Sequence, residues 1–430
     1  MKISNINIFD INMVYEMQYD NPPKREKHLF KLIIEKLLIL LKYFVGNKLK
    51  NNSEFEFVEN HNEKIDVLFF GESNNNSLVF NPIIQNLVDV NFKVIKNNKD
   101  FPLIKAIYLS FPYTYSLFKQ YLKASRKERK IIKSSPFTFL FTYGKYILAG
   151  DILDKYSPKI LLMANDHSPF NRCLLKNSKS RNIKTIYIQH ASVSDKFPPL
   201  EFDYSLLDGK ESFEKYKEKS KKKSKVILTG SSRYDNFHKT KLNNNRYKIG
   251  ISLNQFDDFD TVKNLCLNLR KSLKNCELVV RPHPNMIDWN RDWFENENIE
   301  YSESSLVTSN VFLKSLKIQI SNVSGIHLDA AMIKIPTVLY KLSKEKINDQ
   351  YQYLANGLIK EAITFENLLN YIKNPDTLLP KDNILQYFLA SVGTSIEGRV
   401  GEFTANYINS ILNDDEEVFE ENINLKIYKF

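Results

Sequence analysis

From Asp66 onward the chain alternates short, unbroken apolar runs with longer segments of helical spacing. Asp66–Phe70 (DVLFF) is the first run and ends at Gly71. Ile160–Ala164 (ILLMA), Thr185–Gln189 (TIYIQ), Tyr204–Leu207 (YSLL) and Val226–Thr229 (VILT) follow it. Between them, Phe139–Lys155 and Asn171–Ser180 have helical length or periodicity. Strands without polar alternation are covered on both faces, so this order predicts a parallel sheet sandwiched by helices.

A polar, Asn-rich stretch at Lys239–Arg246 (KTKLNNNR) interrupts the pattern, and then the same grammar restarts. Tyr247–Ser252, Glu277–Arg281, Ile318–Ser321 and Thr337–Tyr340 read as strands, Asp260–Leu273 as a helix, and a further helix follows Gly325. The expected fold class is α/β, with two Rossmann-like doubly wound domains facing a central cleft. The N-terminal domain spans residues 61–240 and the C-terminal domain 241–390. Residues 1–60 form an added N-terminal helical segment, and residues 391–430 a helical segment that folds back on the N-terminal domain.

Composition narrows the setting. Hydrophobic residues make up 43% of the chain and charged residues 26%, enough for sizeable cores and unlike a disordered chain. Leu29–Val45 is the most apolar stretch, but Lys31, Glu35, Lys36 and Lys42 interrupt it and its longest unbroken run is Leu37–Leu41. A spanning helix needs ~20 mostly apolar residues. The stretch therefore reads as a core-packed amphipathic helix, with an interfacial anchor as the alternative. The opening MKISNINIFDIN lacks the basic-then-apolar order of a signal peptide. Cys173, Cys266 and Cys276 include no C-x-x-C pair, which argues against a disulfide framework or a zinc site and fits a reducing compartment. The expectation is a cytoplasmic protein, either soluble or peripheral on the inner face of the membrane.

The formal charge is +11, from 61 Lys and Arg against 50 Asp and Glu, which favours anionic partners. Part of the excess lies at Lys210–Lys225, with Lys221, Lys222 and Lys223 adjacent. That run reads as a solvated helix end or loop, with a membrane-facing patch as the alternative. Its sparse aromatic interleaving argues against nucleic acid. The chain has no G-x-x-x-x-G-K-[ST], H-E-x-x-H or G-x-S-x-G motif.

In open α/β sheets, ligands sit at the carboxyl ends of strands. The unusual polar residues of this chain fall there. Arg281-Pro282-His283-Pro284 follows Glu277–Val280, and its two prolines restrict the loop that presents His283. The imidazole suits donation to a phosphate oxygen and Arg281 adds charge; a rigid turn with an incidental histidine is the alternative. Ser321-Asn322-Val323-Ser324-Gly325 follows Ile318–Ile320 at a helix start, a geometry suited to phosphate but equally to ordinary capping. Gln189-His190 ends Thr185–Ile188 and is expected at the cleft, unless the histidine is buried and satisfied. Asn165-Asp166-His167-Ser168-Pro169 follows Ile160–Ala164. Asp166 is the expected general base there, with His167 as runner-up and an Asx turn before Pro169 as the bland alternative. Gly230-Ser231-Ser232-Arg233 lies near the hinge. Asp257-Asp258-Phe259-Asp260 precedes a helix, where acids serve the dipole, and Asp414–Glu417 reads as a solvated face.

The ordered set of QH, RPHP, and SNVSG with HLDAAMIKIPTVLY resembles the GT-B glycosyltransferases, in particular bacterial surface-polysaccharide enzymes that use CMP-activated acidic sugars (sialyl-, polysialyl-, pseudaminyl- and Kdo-transferases). The likeness spans roughly residues 155–365, and NDQYQYLANG at Asn348–Gly357 adds to it. It implies that His283, Pro284, Ser321, Ser324 and Gly325 bind the donor nucleotide, and that Gln189, His190 and Asp166 serve the acceptor side. It further implies inverting single displacement without a metal or other cofactor, and a nucleotide sugar and a glycan or glycolipid acceptor as partners. Arg172, Arg233 and Arg281 are candidate contacts for a donor carboxylate. The alternatives are a CDP-glycerol or CDP-ribitol polyol-phosphate transferase, a UDP-sugar transferase or UDP-GlcNAc 2-epimerase, and an inactive scaffold of polysaccharide assembly.

Overall fold

Strands with no polar alternation need cover on both faces, and the chain supplies it twice. The computed structural model describes residues 3–12, 64–71, 73–96, 103–193, 197–217, 224–238, 248–286, 288–345, 348–421 and 426–429. Leu29–Val45, Lys221–Lys223 and the Lys239–Arg246 stretch lie outside the described residues.

The strands are β1 (Val67–Gly71), β2 (Phe92–Lys96), β3 (Ile160–Met163), β4 (Lys184–Ile188), β5 (Tyr204–Leu207), β6 (Lys225–Leu228), β7 (Lys248–Ser252), β8 (Leu278–Arg281), β9 (Glu300–Tyr301), β10 (Leu316–Ser321), β11 (Thr337–Tyr340), β12 (Lys360–Ala362) and β13 (Ile427–Lys429). The helices used below are α1 (Asn74–Ile84), α2 (Pro136–Tyr156), α3 (Pro169–Lys179), α4 (Lys210–Lys217), α5 (Phe259–Ser272), α6 (Ile326–Met332), α7 (Asp382–Phe388) and α8 (Val400–Leu412).

The first sheet runs β13-β6-β5-β4-β3-β1-β2, all parallel except for β13, which lies antiparallel along β6. Alternate residues feed opposite cores, as the pleat requires. Leu68, Phe70, Leu161 and Met163 join α2 and α3 on one face. Val67, Phe69, Ile160 and Leu162 join α1 and α8 on the other. The second sheet, β12-β11-β10-β7-β8-β9, is wholly parallel. Counted from β7, its order is the dinucleotide-fold order, and the order reverses between β7 and β10. In the first sheet the reversal falls between β1 and β3. Such switch points open crevices at the carboxyl ends of their strands, here the loops at 164–168, 253–258 and 321–325.

After the second sheet the chain returns. Ala390 N–H donates to the Asp208 carbonyl at 2.7 Å, and α8 then packs on α1. Ala405, Tyr407, Ile408 and Ile411 are buried in the first sheet's core. Asp235 holds the start of α8, accepting from Val400 N–H at 3.0 Å and Gly401 N–H at 2.7 Å. At the other end of the chain, Ile6, Ile8 and Ile11 are buried against α2 and α3.

Candidate active site between the two sheets

The loop after β3 is shaped by Asn165, whose Oδ1 accepts from the N–H groups of His167 (3.0 Å) and Ser168 (2.9 Å). Ser168 caps α3 and Pro169 opens it. This Asx turn fixes the backbone and leaves Asp166 and His167 to other work. Asp166 Oδ1 lies 2.8 Å from His167 Nδ1, and Tyr216 of α4 donates its hydroxyl to Asp166 Oδ2 at 2.6 Å. Both carboxylate oxygens are therefore occupied, and Asp166 is 1% exposed. The expectation of Asp166 as the base is corrected by this burial: it cannot reach an incoming hydroxyl. It instead accepts from His167 Nδ1–H, which places the lone pair of the ring on the half-buried Nε2. The Phe197 ring lies 4.4 Å from the His167 ring and braces it.

His190 follows β4 close to this pair. One side of its ring engages the Ala164 backbone, and Nδ1 is buried without a protein partner. Burial pushes its pKa down to about 4, against the pull of Asp166, so the ring is neutral at neutral pH. Gln189 is not at the cleft surface. Its amide N–H donates to the Ala191 carbonyl at 3.0 Å and its Oε1 accepts from Asp208 N–H at 3.0 Å, tying β4 to β5.

Arg172 is also corrected. Its side chain is 0% exposed within the N-terminal domain and donates to Glu201 at 2.6 Å. Asp10, Lys176 and Lys179 join the cluster. Burial alone would raise the Glu201 carboxyl, but Arg172 and Lys176 hold it well below the ordinary range. Its Nη1 has no hydrogen-bond partner, but with the side chain wholly buried it is shut off from a donor in the cleft.

On the opposite side, Arg281 ends β8 with Nη1 buried and unpartnered, its guanidinium 5.4 Å from the Phe312 ring. Burial lowers its pKa, opposed by the nearby Asp329. His283 lies two residues on. Its Nδ1 accepts from Asn285 N–H at 3.2 Å, with the Gln255 amide at 3.5 Å, so in the neutral ring the proton sits on Nε2, as a donor. Pro284 is exposed beside it. Ser321 is corrected: it is 0% exposed and donates to the Ser252 carbonyl at 2.8 Å, bridging β10 to β7 across the switch point. Ser324 and Gly325 are the accessible members of that loop. A Cβ at Gly325 would meet nothing within 4 Å. His327 belongs to the core, held between Thr337 (2.6 Å) and the Asn322 carbonyl (3.0 Å).

The two halves meet at these strand ends. Arg233, after β6, pairs with Asp329 of α6 and reaches the His190 carbonyl at 3.5 Å. Tyr234 donates to Asp329 at 2.9 Å, and Ser192 bonds Tyr353 across the same seam. Asp258 caps α5, as its acidic run suggested, and Asp257 is buried against Asn322, where burial raises its pKa to about 6. Among the described residues, no group of three or more His, Cys, Asp or Glu side chains is placed to hold a metal ion. Tyr216, Gln255, Asp329 and Tyr353 are the participants that residue patterns missed. Gln255 had one available signal: it sits in the loop after the first strand of the second domain.

No family model and no curated protein sequence matches the chain. Solved structures do. UDP-GlcNAc 2-epimerase from Neisseria meningitidis bound to UDP-GlcNAc is similar at TM-score 0.50 and 15% identity, over 81% of this chain and 100% of that one. A putative UDP-N-acetylglucosamine 2-epimerase from Listeria monocytogenes gives 0.50 and 12%, over 84% and 98%. A further UDP-N-acetylglucosamine 2-epimerase gives 0.52 and 12%, over 86% and 99%. At these identities the likeness is one of fold, and the fold is of the GT-B type: two Rossmann-like domains, each with a parallel sheet.

Proposed function

We propose that the protein is a nucleotide-sugar-dependent glycosyltransferase that moves an acidic sugar from a CMP-sugar to a glycan or glycolipid acceptor. The observation that carries this reading is that strand ends of the two sheets present histidines of opposite hydrogen-bonding character. His167, backed by Asp166 and Tyr216, offers a proton-accepting Nε2, whereas His283, backed by Asn285 N–H, offers a proton-donating Nε2. One side is built to take a proton and the other to meet developing negative charge.

The acceptor hydroxyl loses its proton to His167 Nε2, and its oxygen attacks the anomeric carbon as the bond to the leaving phosphate breaks. Asp166 stabilises the imidazolium that forms. The electron pair goes to the phosphate, which is met by His283, Ser324 and the backbone at Gly325. Arg281, at the carboxyl end of β8, is the cation left to meet the sugar carboxylate, since Arg172 is wholly buried on Glu201 and Arg233 pairs with Asp329. His190, whose Nδ1 is buried, makes no direct substrate contact in this reading. In this reading side chains neutralise the departing charge, so no divalent ion is required.

The test is thermal shift against CMP, CDP, UDP, GDP and ADP, with and without EDTA. A ligand selective for the native state raises its stability by mass action. A CMP-selective shift that survives EDTA and is lost in His283→Ala supports the reading. A CDP preference with phosphodiester products assigns a polyol-phosphate transferase. A UDP preference favours the second reading, a UDP-sugar enzyme, to which the fold likeness to UDP-GlcNAc 2-epimerases points. No shift with any nucleotide refutes the enzymatic reading in favour of a scaffold.

A further inference from the structure

Outside α2, residues 103–134 form an additional layer of three helices, Leu103–Ser110, Thr114–Lys123 and Arg126–Ser134. This layer is apolar on two faces. Inward, Ala106 is buried and Leu109, Tyr113, Leu117 and Tyr121 pack on the first domain's core. Outward, Tyr108, Phe111, Tyr115, Phe118 and Leu122 are 70%, 56%, 66%, 54% and 58% exposed. Tyr115, Phe118 and Leu122, three and four residues apart, share one face of the Thr114–Lys123 helix, with Tyr108 and Phe111 exposed just before it. A surface helix needs one apolar face to dock, so the second has no role in folding. A contiguous exposed apolar patch of this kind marks an interaction site.

Charge identifies the partner. Residues 111–134 carry Lys119, Lys123, Arg126, Lys127, Arg129, Lys130 and Lys133 against a single carboxylate, Glu128. Glu128 is engaged locally, accepting from Ser125 N–H at 2.7 Å in a capping box. Tyr121, Arg126, Lys127, Arg129, Lys130 and Lys133 line an open hollow of ≈ 920 Å³. Lys119 Nζ lies 4.5 Å from the Tyr115 ring, on the stripe itself.

We propose that this layer docks the protein on an anionic lipid bilayer. The aromatic and leucine stripe enters the headgroup–acyl boundary, and the flanking cations meet lipid phosphates. A second copy of the chain is the poorer occupant, because a two-fold contact would set this cationic face against itself. Among the described residues no helix is long and apolar enough to cross a membrane, so attachment through this surface is reversible and weakened by salt. This proposal does not depend on the nucleotide reading.

The test is co-flotation of the purified full chain with vesicles of phosphatidylcholine, alone or mixed with phosphatidylglycerol. Binding to the mixed vesicles only, released by salt, is the expected result. Lys123→Glu/Lys133→Glu should weaken binding more than tenfold, since each cation near an anionic surface contributes roughly fivefold. Phe118→Ser/Leu122→Ser should also detach the protein, with circular dichroism and melting unchanged because both positions are exposed. Equal binding to neutral vesicles, or none to either, overturns the proposal. So does self-association that these serines abolish while vesicles bind nothing, or preference for an oligonucleotide over vesicles.

Discussion

Tyr216 donates its hydroxyl to Asp166 Oδ2 at 2.6 Å across 50 residues of sequence. The bond joins α4 to the loop after β3 and closes the last open face of a buried carboxylate. In the proposed mechanism Asp166 is thereby a positioning residue, and His167, 21% exposed, is the group that meets the acceptor. His167→Ala is expected to lower kcat by roughly 10²–10⁴-fold, the usual worth of a positioned base. Asp166→Asn should fall in the same direction and also distort the pH profile, because an amide can stabilise the wrong tautomer. Tyr216→Phe should lose less activity but ~1–3 kcal/mol of stability, since a buried acceptor is left short of a partner. Unchanged kcat in His167→Ala would remove it from the mechanism.

The pair between Arg233 and Asp329 spans the two domains with side chains 19% and 7% exposed. Removing Asp329 leaves the Arg233 charge without its ion-pair partner in a poorly hydrated seam, at an expected cost of about 3–5 kcal/mol. Removing Arg233 leaves Asp329 with the Tyr234 hydroxyl alone. The double variant Arg233→Met/Asp329→Asn should be less unstable than the sum of its parts. Denaturant midpoints of the four proteins form the cycle, and strict additivity would show that the two groups are not coupled.

Asp208 closes β5 beside this seam and is 5% exposed. Burial raises its pKa from 3.8 to about 8, with Arg233 pulling the other way. The folded protein therefore keeps a proton that the unfolded chain releases above pH 3.8, and the unfolded state binds fewer protons throughout that window. The stability that this protonated carboxyl supports is complete at low pH and is lost as pH rises toward about 8. Asp208→Asn should flatten the urea midpoint over that range. A variant that keeps the wild-type slope would assign the pH dependence to another group.

Gly144 lets α2 approach the Leu103–Ser110 helix so closely that a methyl group there would land on the Ala106 carbonyl. Gly144→Ala should destabilise by about 1–3 kcal/mol or more, as overpacking does. Because that helix carries Tyr108, vesicle binding should weaken too. A normal melting temperature would show that the helices separate freely.

Gly325 predicts the opposite. Its φ of −59° suits any residue, and an added Cβ meets open space. Gly325→Ala should leave melting unchanged while weakening nucleotide binding, measured by calorimetry. Equal affinity would place the phosphate away from this loop.

The central strands were legible because burial on both faces writes an unbroken apolar run. Tyr204–Leu207 and Thr337–Tyr340 match the structure residue for residue. β2, β9, β12 and β13 were not, since edge strands are partly solvated; Lys360 and Glu361 of β12 are exposed. The candidate site was legible as a set of strand ends but not as a set of roles. Sequence adjacency joins Asp166 to His167, yet only folding brings Tyr216 to them and so decides which one stays accessible. Gln189 and Ser321 carry the right chemistry at the right strand ends, but their hydrogen bonds are used within the sheets.

The return of α8 and β13 to the first sheet has a consequence for synthesis. On the ribosome, β1 to β6 emerge long before the residues that cover one of their faces. Val79, Phe80, Ile160 and Leu162, all at most 1% exposed in the finished molecule, must wait for Ala405, Tyr407 and Ile408. The second domain's core is complete, through Leu378, before the first can close. The order of completion is thus the reverse of the order of translation. Throughout elongation the nascent first half presents whatever part of that face α1 leaves bare, for the later-made residues or a chaperone to shield.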